Sequence, residues 1–171
     1  VLWLCGLYLA EGCQNGSAKV FSLNVDESHW IPRIEAIATH YGGSCSHSIE
    51  ENLLTVRVYG AVIHSIIDSY IGGSTAHNKH FKVSVWKLPN EALRNIANGY
   101  LNGDGHDDPD NGRWRLGFCR NYSLERDLRT LAARLGATVT LNPRKATHQN
   151  GTTDIFRGEW RWTRSGHHNE K

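Results

Sequence analysis

Methionine is absent from all 171 residues and the chain opens on Val1, as an excised piece of a longer chain would. Proline is scarce at four residues, so no proline-rich linker divides the chain. The four cysteines, Cys5, Cys13, Cys45 and Cys119, form no C-x-x-C pair and no dense framework. That excludes the usual zinc spacing and a disulfide scaffold, and it fits a reducing, intracellular setting. Long apolar runs are missing too: Val1 to Ala10 is too short to cross a bilayer, and no basic residue precedes it as in a signal peptide. It reads as a core helix, and no membrane partner is expected. Charge of one sign is also lacking, because 19 basic residues offset 17 acidic ones for a net +2, so bulk charge does not point to nucleic acid.

An internal repeat is present. Leu4 to Gly12 reads LCGLYLAEG and Ala97 to Gly105 reads ANGYLNGDG, which sets Gly6, Ala10, Glu11 and Gly12 on Gly99, Gly103, Asp104 and Gly105. The two acids lie 93 positions apart (104 − 11). An independent landmark agrees. One amphipathic helix with Trp30, Ile31, Ile34, Ile37 and Ala38 closes at Gly42, and another with Leu124, Leu128, Leu131 and Ala132 closes at Gly136, 94 positions on (136 − 42). The chain is thus expected to be α+β, a pseudo-twofold pair of halves spanning 1–86 and 87–171. Strands are expected over 17–24, 53–59, 113–120 and 154–162, and a third helix over 62–71 closes the first half.

Within each copy two small residues stand four apart, Gly6 with Ala10 and Gly99 with Gly103, and so share one helix face. Helices crossing through such faces approach backbone to backbone, which brings Glu11 and Asp104 side by side at their C-terminal ends. Paired carboxylates at negative dipole ends are costly unless a cation sits between them. Mg²⁺ suits the pair, because it accepts one or two protein carboxylates and completes its shell with water and phosphate oxygens.

Both nonapeptides resemble the signature of the LAGLIDADG homing endonucleases, including the acid before the last glycine. The Lys87-Leu88-Pro89 segment resembles the lysine-proline block of intein endonuclease domains. The resemblance covers both halves and implies αββαββα units whose central helices pack together beneath a saddle of antiparallel strands. It implies cleavage of both strands of a long asymmetric DNA target with Mg²⁺, Ca²⁺ or Mn²⁺ substituting in the site. Carried over by position, Glu11, Asp104, Gly12 and Gly105 form the metal site, with the two acids as its carboxylate ligands, and Lys87 stabilises charge near the scissile phosphate. A single chain with two motifs needs no second copy, so a monomer is expected.

Strand alternation then nominates a reading surface. Arg113 and Arg115 share one face against Trp114, Leu116 and Phe118; Arg157, Glu159 and Arg161 oppose Phe156, Trp160 and Trp162; Arg57 opposes Val56 and Val58. Arginine on a ribbon in the major groove can bind guanine through two hydrogen bonds, and glutamate can accept from cytosine. Lys19 falls in phase with Phe21 and Leu23, yet its place at a strand start suggests a phosphate contact.

The acids from Asp104 to Asp110 fail as a calcium loop, since Pro109 stands where glycine is required and Arg115 where glutamate is; they read as a solvated turn. The histidines have no partners at zinc spacing, and Glu170 follows His168-Asn169 where a splicing nucleophile would stand. Two further readings stand beside the endonuclease: a DNA- or RNA-binding relative without cleavage, such as a regulator or intron maturase, and a helix-pairing protein with no nucleic-acid partner. The last leaves the outward arginines without a purpose.

Overall fold

The computed structural model describes residues 1–148 and 151–163. Its elements run α1 (Leu2–Glu11), β1 (Gly12–Asn15), β2 (Ala18–Asn24), α2 (Ile31–His40), β3 (Ser44–Glu50), β4 (Leu53–Tyr59), α3 (Ala61–Tyr70), β5 (Ile71–Gly72), β6 (His80–Phe81), α4 (Asn90–Asp104), β7 (Gly105–Asp108), β8 (Arg113–Cys119), α5 (Tyr122–Leu135), β9 (Ala137–His148) and β10 (Gly151–Trp162). Two antiparallel four-stranded sheets repeat one order, β1-β2-β4-β3 and β7-β8-β10-β9. The second half has no counterpart of α3 among the described residues.

α1 is apolar on every side, and Trp3 through Leu9 are all buried, which is the behaviour of a helix at the centre of a core. It packs along α4 at a distance that only glycine permits. A β-carbon on Gly6 would stand 2.0 Å from the Ile96 carbonyl oxygen, and one on Gly99 would stand 1.9 Å from that of Trp3. The Trp3 indole donates to Asn102 Oδ1 at 2.9 Å, fixing the register of the pair. Gly103 is looser, since its nearest neighbours are the Ala10 β-carbon at 2.7 Å and side-chain atoms of Glu11 and Leu7.

Outside this pair, α2 and α5 pack under the sheets with Ile34 and Ala38, and with Leu124, Leu128, Leu131 and Ala132, in the core. Gly42 (φ 69°) and Gly136 (φ 67°) sit in the left-handed region just beyond these helices, a conformation that favours glycine. An Asn24–Glu27 capping box opens the short 3₁₀ turn before α2, and the Asn121 side chain caps α5 by accepting from the Leu124 amide at 3.1 Å.

Besides the short β5–β6 pair, four strands lie beyond the sequence expectation: β1, β3, β7 and β9. All are edge strands, where one side of the ladder meets water and the apolar alternation of an inner strand is lost. β9 even contains Pro143, which an edge tolerates. The acids after Asp104 are likewise not a free turn. Asp107 and Asp108 lie in β7, with Asp108 buried between Arg113 and Arg115, and only Asp110 stands in an exposed turn, Pro109–Asn111.

Gly6→Ala and Gly99→Ala, which drive a methyl into backbone, should each cost at least about 2–3 kcal/mol. Gly103→Ala should cost less, and Gly117→Ala, whose β-carbon would meet only Arg157 Cγ at 3.9 Å, should be near neutral. Chemical denaturation of the four variants checks the order; equal losses at Gly99 and Gly117 would contradict the close-contact account.

Candidate metal centre and nucleic-acid interface

α1 and α4 end together, and each C-terminal residue is an acid followed directly by a strand-initiating glycine. Glu11 and Asp104 are both half-buried, and both line a cleft of about 300 Å³ with Lys79, Cys119 and Leu124. Burial is the main cause that pushes the Glu11 carboxyl up to about 7, with Asp104 and Glu27 adding repulsion and Lys79 opposing it. Burial likewise pushes Asp104 up to about 6, held down in part by Tyr100 and Lys79. The Tyr100 hydroxyl, one turn before Asp104, is buried and has no hydrogen-bond partner of good geometry among the described residues.

Lys79 is the residue that sequence reasoning missed. Its ammonium donates to the carbonyl oxygens of Tyr8 (3.1 Å), Ala10 (2.9 Å) and Gly12 (3.0 Å), closing the C-terminus of α1. Three donors meet three carbonyls, so the group is saturated. The charge also complements the negative helix end and the two carboxylates. The segment carrying it is tied down from the second half: Asn121 Nδ2 donates to the carbonyls of Ala76 and Lys79, and Asp127 accepts from the Phe81 amide at 2.7 Å.

Lys87 does not join the acids. It is exposed just before the N-terminus of α4, while Asp104 ends that 15-residue helix roughly 20 Å away. Arg134 grips the neighbouring backbone there through the carbonyls of Trp86 and Leu88. Arg164, His167, His168 and Glu170 lie outside the described residues.

Donor chemistry fits a hard divalent cation better than a caged soft one. Among the described residues no cluster of three or more His, Cys, Asp or Glu forms a cage, and the Gly12 carbonyl is already taken by Lys79. What remains is two crowded carboxylates whose protonation is the alternative to a cation, the arrangement Mg²⁺ or Ca²⁺ completes with water and phosphate.

Asp104 also borders an open groove of about 790 Å³ on the outward face of the second sheet, lined by Arg113, Arg115, Asn142, Arg144, Arg157 and Glu159 among others. Here the acids organise the bases. Asp108 accepts from Arg113 (3.0 Å) and Arg115 (2.7 Å), and Asn111, Arg115 and Arg113 hold its carboxyl well below the usual range. Glu159 accepts from Arg113 at 2.7 Å and Arg161 at 2.8 Å. Arg57 occupies the outward face of the first sheet, where it donates to Ser48 Oγ at 3.2 Å. Lys19 instead points into the core side, 4% exposed, paired with Asp68 of α3 and over the Tyr8 ring. Its phase with Phe21 decided its direction, and the expected phosphate contact is withdrawn.

No family model matches the chain. Its architecture is the LAGLIDADG fold: the solved structures of I-DmoI and WhiA share it at sequence identities that speak to the fold alone. The homing endonuclease I-DmoI in complex with DNA and Ca superposes with TM-score 0.56 at 11% identity, over 92% of this chain and 81% of that one. I-DmoI in complex with DNA and Mn gives TM-score 0.56 at 11% identity over 92% and 87%. The N-terminal LAGLIDADG domain of WhiA gives 0.55 at 13% over 96% and 76%. In sequence, the chain is 29% identical over 150 residues to iron-sulfur cluster assembly SufBD family proteins of Mycobacterium bovis and Mycobacterium tuberculosis. The match takes in 83% of this chain but spans only 18% of those proteins.

The raised carboxyls predict a pH signature. A carboxyl raised on folding stabilises the protein below its unfolded value, about 4, and that stability is lost as pH climbs through 6 to 7. Glu11→Gln and Asp104→Asn should therefore stabilise the metal-free protein at pH 8 by about 1–3 kcal/mol and leave it little changed at pH 4. Adding Mg²⁺ at pH 8 should raise the melting temperature of the wild type and not of the double variant. Melting curves for wild type and variants that run parallel from pH 4 to 8 would refute the assignment.

Proposed function

We propose that this chain is a DNA-binding module that hydrolyses both strands of a specific duplex with divalent metal, acting as a monomer whose two halves, 1–86 and 87–171, each contribute one acid. The observation that carries the reading is the carboxylate pair, Glu11 with Asp104, opening beside a groove lined by arginines. A protein that only held DNA would gain nothing from two half-buried acids that repel each other, whereas phosphodiester hydrolysis needs a metal held there.

Glu11 and Asp104 would hold Mg²⁺, with Gly105 at the turn into β7; the ion would activate water and polarise the phosphate. Lys79 is a positioning residue, whose three bonds keep the end of α1 ordered and whose charge offsets part of the carboxylate repulsion. Arg57, Arg113, Arg115, Arg157 and Arg161 would bind phosphate and base edges, with Glu159 and Asp108 aiming the guanidinium groups. I-DmoI is a homing endonuclease solved with its target DNA, which supports this reading. The short span within the SufBD proteins supports a module carried inside longer chains, as intein endonuclease domains are, rather than part of the iron-sulfur machinery. A binding-only relative is the second reading, because the same fold occurs in WhiA.

Incubating the protein with a randomised duplex library in Mg²⁺ and, separately, Ca²⁺ tests the proposal by sequencing cut ends and retained molecules. Cutting at one long motif in Mg²⁺ is expected. Glu11→Gln or Asp104→Asn should lower cleavage on the order of 10²–10³-fold with DNA retention kept. Retention without cleavage by the wild type in either ion would replace the endonuclease with the binding-only reading.

A further inference from the structure

The two sheets differ at the positions that their shared topology makes equivalent. Gly12 faces Phe21 in the first sheet and Gly105 faces Leu116 in the second, which aligns Val20 with Arg115 and Ser22 with Gly117. One strand further, Ser22 faces Thr55 while Gly117 faces Arg157. At the outer strand, Glu50 faces Leu53 while Arg144 faces Ile155. Where the second sheet presents Arg115, Arg157 and Arg144 outward, the matching positions of the first hold Val20, which is buried, Thr55 and Glu50. Arg57 against Glu159 is the reverse exchange, and Arg57 is the sole outward lysine or arginine among the described residues of the first sheet.

Two of the second-sheet arginines are also unengaged. Arg113, Arg115 and Arg161 are tied to Asp108 and Glu159, but Arg144 and Arg157 make no hydrogen bond or ion pair among the described residues. Arg157 passes over Gly117, where no side chain stands in its way, and both line the groove.

Length adds to the difference. β3 and β4 are seven residues each, and β9 and β10 are twelve. By the same register four of the five extra pairs, Lys145 to His148 on β9, lie beyond the position of Glu50 and lengthen the second ribbon there by about 13 Å, or about four base-pair steps of duplex. The short ribbon ends in Glu50 and Glu51, whose charge opposes phosphate.

We propose that recognition is lopsided: a long half-site is read under β8, β9 and β10 by Arg157 near the centre and Arg144 farther out, and a shorter, weakly read half-site lies under the first sheet. This rests on the DNA-binding reading above, and it holds whether or not the chain cleaves. Guanine is the base that both arginines would select.

Selection from a randomised duplex library in Ca²⁺ tests it, using wild type, Arg144→Ala, Arg157→Ala and Arg57→Ala, each first shown by thermal melting to fold as the wild type does. Informative positions should reach about four base pairs farther on one side of the centre. Arg157→Ala should erase preference at inner positions of that longer side and Arg144→Ala at its outer positions, each weakening binding to the selected site at least tenfold, and Arg57→Ala should weaken it by less than either. Equal reach on both sides, or an Arg57→Ala loss matching that of Arg157→Ala, overturns the lopsided footprint while leaving DNA binding intact. Failure to enrich any sequence overturns the footprint and the specific DNA-binding reading together.

Discussion

The contact on which the structure depends is the backbone-to-backbone approach of α1 and α4 through Gly6 and Gly99. Carbonyl oxygens of Ile96 and Trp3 occupy the space where β-carbons would stand, so no larger residue can be accommodated without moving a helix. Because the crossing places the two helix ends level, Glu11 and Asp104 meet there. β1 and β7 leave directly from them, which in turn sends the two sheets off as pseudo-equivalent arms. Position of the acids and position of the arms are thus consequences of one packing choice.

That choice has an electrostatic cost. Each acid sits at a helix C-terminus, buried enough to resist ionisation and near a second acid. Lys79 offsets part of it, yet all three of its donors are committed to α1 carbonyls. The remaining imbalance favours a cation. Holding Lys79 in place requires both halves, since Asn121 and Asp127 of α5 anchor the segment that reaches back to α1. The connection between the halves is therefore part of the candidate site, not merely a tether.

How legible this was from the sequence depends on the range of the interaction concerned. The central helices, the left-handed glycines at 42 and 136, and the inner strand faces follow from spacing of a few residues, and the structure has them. The outer strands were not legible, because SCSHSIE and GHDD alternate too weakly to betray an edge. Lys79 was not legible either: its role is defined by carbonyls 67 to 71 positions away and by an anchor in α5. Lys87 drew attention through a local resemblance to a lysine-proline block, but a 15-residue helix separates it from the acids. Lys19 shows the opposite case, where phase along the strand was the better guide than charge, and Asp68 supplied the partner that makes its burial tolerable.

Symmetry is strict where backbones touch and lax where side chains face water. Gly6 and Gly99 are locked in the same role because any departure collides with main chain, and the strand order repeats because it follows from the helix ends. No such penalty acts on the outward faces, where Thr55 and Arg157, or Glu50 and Arg144, stand at matching register with opposite character. A surface residue can change there at little cost in stability. Two halves so related retain a shared centre while their faces diverge, and a duplex lying across them would meet equivalent chemistry at the middle and different chemistry on either side.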